Sequence, residues 1–91
     1  MFSESVKNTE LVTEQYSCSA SSAAGHGWNT GQKTKAGYKA VFAQVGSGGG
    51  YNVQPVLEAM SGLGTSTISV AGSAAQTSND IRVWVLWVKE S

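Results

Sequence analysis

Residues 81–91, Ile81-Arg82-Val83-Trp84-Val85-Leu86-Trp87-Val88-Lys89-Glu90-Ser91, constrain the fold of this chain more than any other segment. Side chains alternate along a β-strand. Ile81, Val83, Val85 and Trp87 therefore share one face, and Arg82, Trp84, Leu86 and Val88 the other. A strand that is apolar on both faces needs cover on both. The rest of a small fold can cover one face. A second sheet or a second copy of the chain is the simplest cover for the other. The segment predicts a compact β-protein that self-associates.

Length sharpens that expectation. A chain of 91 residues is expected to form a single domain spanning residues 1–91. A domain of this size buries a limited share of its surface and often relies on disulfides, metals or partner chains. With one cysteine, Cys18, no internal disulfide can form. His26 is the single histidine, so no Cys/His zinc cluster is expected. Oligomerisation is the remaining route.

Charge narrows the partners. The net charge is zero and only 13% of residues are charged, so binding nucleic acid by phosphate neutralisation is not expected. Lys33, Lys35 and Lys39 form one basic cluster, read as solvated loop and edge charges that discourage edge-to-edge pairing. Hydrophobic residues make up 41% of a chain otherwise rich in Gly, Ser, Ala and Thr, which suits a loop-rich all-β domain better than a disordered one. Met1-Phe2-Ser3-Glu4-Ser5 has neither a basic nor an apolar region, so no signal peptide is expected. No apolar stretch reaches spanning length, so no membrane insertion is expected.

Strand signals recur along the chain. Val12, Tyr16 and Cys18 share a face at period two, interrupted by Glu14. Trp28 to Lys33 reads as a short strand among glycines. Tyr38 to Val45 reads as a strand with Tyr38, Ala40 and Phe42 on one face and Val41, Ala43 and Val45 on the other. Gly46-Ser47-Gly48-Gly49-Gly50 reads as a turn. Tyr51 to Met60 follows as a strand whose Pro55 implies an edge or a bulge. Thr65 to Ala71 is a short strand around Ile68 and Val70. Short strands separated by Gly/Ser-rich turns read as an antiparallel sandwich, and no segment sustains a helical period.

Chemical motifs are sparse. The glycine run lacks the Gly-Lys-Ser/Thr of a phosphate loop, and Tyr51 stands where a dinucleotide fingerprint needs its last glycine. Cys18 and His26, eight residues apart with Asp80 distant, offer a nucleophile and a base, but a buried, inert thiol suits Cys18 better. No catalytic residue, metal ligand or cofactor is expected. Gly25-His26-Gly27-Trp28-Asn29-Thr30 joins an aromatic, an imidazole and an amide on a flexible backbone, a combination suited to a sugar or peptide. The competing expectation for Trp28 is inward packing at the start of a strand. Tyr51 is a second loop candidate. Of Trp84 and Trp87, one should be core and the other an interface residue.

Four segments together resemble the C-terminal head domains of bacteriophage tail fibres and receptor-binding proteins. They are Ala36-Gly37-Tyr38-Lys39-Ala40-Val41; Tyr51-Asn52-Val53 with Leu57; Ile68-Ser69-Val70; and Ile81 to Lys89. In those domains a Gly-Tyr-x-x-Val strand leads to a terminal strand like Val-x-Val-Leu-Tyr-Val-Lys, whose tyrosine position is Trp87 here. The likeness covers residues 36 to 89. It implies a trimer of antiparallel, jelly-roll-like β-sandwiches at a fibre tip, made in the host cytoplasm and carried on the virion. It also implies a non-enzymatic attachment role toward a bacterial surface glycan or protein. The ligand residues expected are His26, Trp28, Asn29 and Tyr51, and the trimer interface expected is Trp84, Leu86 and Val88. The alternative is a structural virion protein, a capsid decoration or head-fibre component, whose partners are other virion proteins.

Overall fold

The computed structural model describes residues 10–21, 26–47, 55–74 and 81–90. All regular structure in them is β, arranged as two antiparallel sheets. Sheet 1 contains β1 (Leu11–Cys18), β7 (Ile81–Lys89) and β4 (Tyr38–Ser47), in the order β1-β7-β4. Sheet 2 is built around β6 (Thr67–Ser73), with β5 (Val56–Ser61) on one side. On the other side lie two short strands, β2 (Gly27–Asn29) and β3 (Lys33–Thr34).

The terminal segment is thus the central strand of sheet 1. Its odd-numbered residues Ile81, Val83, Val85 and Trp87 are at most 1% exposed. They meet Ala40 and Ala43 of β4, and Trp28, Ile68 and Val70 of sheet 2, in one core. Val12, Tyr16 and Cys18 of β1 pack against that core from the same side. Burying side chains of this size is worth about 1.5–3 kcal/mol each, so the four inward residues of β7 contribute substantially to fold stability.

The facing in β4 differs from a simple alternation. Its pairing with β7 shifts between Ala40 and Phe42. Ala40 and Ala43 are both buried, whereas Phe42 is 53% exposed and Val41 40%. A β-bulge inserts one residue, and that reverses the facing of everything after it. Tyr38 and Ala40 therefore share the inner face with Ala43, and Phe42 turns outward. The bulge is anchored from outside the sheet. The Ala40 amide donates to the Thr65 carbonyl (2.9 Å), and the Gly64 amide donates to the Ala40 carbonyl (2.7 Å). These two bonds stitch the β5–β6 turn of sheet 2 to the edge of sheet 1.

Sheet 2 follows the same logic of edges and breaks. Pro55 is buried immediately before β5, which has no partner but β6 among the described residues and carries its own register shift between Leu57 and Ala59. The expected Trp28–Lys33 strand is split in two. Asn29 Oδ1 accepts from the Gly31 amide at 2.6 Å, and Gly31 adopts a φ of 73°. This side-chain turn kinks the chain between β2 and β3 while both stay on the edge of β6.

The lysine expectation needs correction. Lys33 and Lys35 are half-buried rather than freely solvated. Lys33 Nζ lies 5.4 Å from the centre of the Tyr16 ring, and Lys35 Nζ lies 4.7 Å from that of Tyr38. Lys35 also pairs with Glu14 at 3.5 Å. The apolar stems of these lysines cover aromatic surface while their charges reach acceptors on sheet 1. Only Lys39 keeps the exposed position expected of it.

Candidate functional site

The outer face of sheet 1 is the surface that the described fold leaves uncovered. Register places its residues in rows across β1, β7 and β4: Leu11, Val88 and Lys39; then Thr13, Leu86 and Phe42; then Gln15, Trp84 and Gln44; then Ser17, Arg82 and Gly46. Thr13, Phe42, Gln44, Trp84 and Leu86 line an open hollow of about 300 Å³. Leu11, beside it, is 60% exposed.

Trp84 is fixed in this face from two sides. Its indole Nε1 donates to Gln15 Oε1 at 3.2 Å. Its six-membered ring lies against Gly46, where an added Cβ would stand 3.0 Å from Cζ3. Glycine at 46 therefore makes room for the ring to settle onto the β4 backbone. The hollow next to it holds no charged side chain, and Lys39 and Arg82 lie in the end rows of the strip. The face is flat, apolar at its centre and supplied with amide and hydroxyl groups.

The expected loop site is drawn apart. Trp28 is 4% exposed, and its Nε1 donates to the Ser73 carbonyl at 3.0 Å. It is a core residue at the start of β2, so its role as an exposed ligand contact is corrected and the competing inward-packing expectation describes it. Asn29 is exposed, but its Oδ1 is occupied by the Gly31 amide, with Ser69 Oγ 3.5 Å away. His26 has a left-handed φ of 43°, its carbonyl accepts from the Ala74 amide, and its Nδ1 lies 3.3 Å from the Ser21 carbonyl. Tyr51 lies outside the described residues. Trp84, Leu86 and Val88 do share the outer face of β7, each half-buried. Sequence reasoning missed Thr13, Gln15, Phe42 and Gln44. A period-two count across β1 aligns Thr13 with Gln15, but the bulge at Val41 conceals that Phe42 and Gln44 join them.

The groups whose titration is shifted, Tyr16, Cys18 and Tyr38, pack toward the core on the other side of sheet 1. Burial pushes the Cys18 thiol up, against the pull of Lys33, so the reactive thiolate is disfavoured. Tyr16 is raised first by burial and then by the Glu14 carboxylate. The Trp87 indole opposes that rise from nearby, yet its Nε1 meets hydrogen-bond geometry with none of the described residues. Tyr38 is raised chiefly because its hydroxyl donates to Glu10. No group of three or more His, Cys, Asp or Glu side chains able to hold a metal occurs among the described residues.

Compared with protein-family models, curated proteins and solved structures, the chain matches none.

Proposed function

We propose that this chain is a non-enzymatic attachment module of a bacteriophage virion, a jelly-roll-like β-sandwich that meets a bacterial surface glycan or protein with the outer face of sheet 1. The observation that carries this reading is the uncovered strip of Trp84, Leu86 and Phe42, with its bordering amides. Aromatic and aliphatic side chains gathered on one exposed sheet face and rimmed by polar groups are the composition of an interaction site. The resemblance of the Gly37-Tyr38 and Val83–Lys89 segments to fibre-tip domains supports the virion setting. Because Trp28 is buried and Asn29 is engaged in its own turn, the sheet face is the better contact surface than the His26–Asn29 loop. The test is adhesion of fluorescently labelled protein to a panel of Gram-positive and Gram-negative bacteria. Saturable adhesion to some strains, lost in Trp84→Ala, is expected; no adhesion to any strain overturns the reading.

The second reading is a homo-trimeric structural virion protein that buries Trp84, Leu86 and Val88 between copies and binds other virion proteins. It is favoured by Leu11, which is 60% exposed and extends the apolar face onto β1. Light scattering across a dilution series tells whether copies of the chain cover this face. A trimer that Leu86→Gln dissociates puts Trp84, Leu86 and Val88 between copies, and a monomer at micromolar concentration removes that arrangement.

A further inference from the structure

We propose that the hollow between Trp84 and Phe42 is a sugar subsite that takes one uncharged hexopyranose ring of a surface polysaccharide. The ring stacks on the Trp84 indole and receives hydrogen bonds from Gln44 and Thr13. This rests on the attachment reading above and assigns its ligand class and contact residues.

Four observations converge on this ligand. The first is size: a hollow of about 300 Å³ is at the lower end of small-ligand sites. The second is chemical balance. A pyranose has an apolar C–H face and a rim of hydroxyls. The C–H face, faintly positive, suits the negative π-face of an aromatic ring. The hydroxyls need partners that both donate and accept, which a Gln amide and a Thr hydroxyl provide. Trp84, Phe42 and Leu86 supply the apolar floor here, and Gln44 and Thr13 the rim. The third is charge: none of the five lining residues is ionisable, so the site complements a neutral ligand.

The fourth is preorganisation and area. The Gln15 bond and the Gly46 backbone hold the indole in place before any ligand arrives, so little side-chain entropy is lost on binding. The strip from Arg82 to Val88 across three strands is roughly 20 by 14 Å. A second copy of the chain would cover it only as part of a larger contact, since a stable protein interface buries about 800 Å² per partner. One or two sugar rings need no more than the strip offers.

The experiment is a printed array of bacterial surface polysaccharides, probed with the wild-type chain, Trp84→Ala, Gln44→Ala and the control Leu63→Ser. Leu63 is exposed on the β5–β6 turn and does not line the hollow. The wild type and the control are expected to bind at least one neutral polysaccharide equally. Trp84→Ala should bind about tenfold or more weakly, as aromatic anchors do on truncation. Gln44→Ala changes an exposed side chain and so keeps the fold; it should weaken binding about threefold to tenfold, the loss of one or two hydrogen bonds. A wild type that binds no polysaccharide, or whose binding Gln44→Ala leaves intact, overturns the proposal. If the wild type still adheres to cells in that case, the sugar subsite fails and the attachment reading stands. If adhesion is also absent, both fail.

Discussion

Trp84 and Trp87 are three residues apart on one strand, and their environments are opposite. Trp87 is fully buried, with an indole N–H that no described residue satisfies. Trp87→Ala should cost about 3–5 kcal/mol, as large-to-small core changes do, and with the modest stability of small domains that suffices to unfold much of the population. Trp87→Phe loses less volume and removes the unsatisfied donor, so its denaturant midpoint should lie much nearer the wild type. Gly72 is a second position with no tolerance. A Cβ there would stand 1.8 Å from the Val56 carbonyl oxygen and 2.7 Å from Trp28 Cζ2. Gly72→Ala should destabilise by about 1–3 kcal/mol, the usual cost of overpacking, read from urea unfolding.

The raised groups give a pH dependence of definite sign. Tyr16 and Cys18 both hold their protons more tightly in the folded chain than in the unfolded one. The stability this contributes is present below their unfolded values and is lost as pH rises through the folded ones. Stability should therefore fall from about pH 8.5 upward, the thiol leading and the phenol following above about pH 10. Thermal unfolding of Tyr16→Phe should show a shallower decline above pH 10 than the wild type.

Among the elements, bulges and breaks decide what the surface presents. The register shift at Val41 puts Phe42 beside Leu86 and lets Ala43 into the core. Deleting Val41 removes the inserted residue, so Phe42 follows Ala40 directly and still faces outward beside Leu86 while Ala43 still faces the core. Such a variant should keep cooperative unfolding, which a calorimetric scan detects. The Asn29 turn is a smaller device. Asn29→Ala removes the acceptor of the Gly31 amide and should cost about 1 kcal/mol, with faster amide exchange confined to β2 and β3. Sequence periodicity located β1 and β7 and their faces well, since neither carries a shift against the other. It misfaced β4 beyond Ala40 because period-two counting has no term for an inserted residue. It placed the β-branched Thr65–Ala71 segment as a strand without marking it as the centre of sheet 2, since centrality depends on which strands arrive on either side.

For the molecule as a whole, two sheets share one core and are also joined through backbone bonds between Ala40 and the Gly64–Thr65 turn. Lys33 and Lys35 tie β3 and its flank to Tyr16, Glu14 and Tyr38 of sheet 1. Surface ion pairs of this kind contribute little singly, so high salt should leave the melting temperature nearly unchanged. The solution mass is the measurement that belongs to this scale. The sugar-subsite reading expects a monomeric species across a micromolar dilution series, and the structural reading expects a persistent trimer.

Reading along the sequence is enough to show that the regular structure is β, that Ile81, Val83, Val85 and Trp87 share one face, and that Trp84, Leu86 and Val88 share the opposite one. Those properties follow from side-chain alternation and apolar content along single segments, which are local. Tertiary structure alone decided that Trp28 is buried, that Lys33 and Lys35 cover aromatic rings, and that Phe42 and Gln44 stand beside Trp84. Each of these depends on a bulge, a kink or a neighbouring strand, and so on contacts between residues far apart in the chain that no local period encodes.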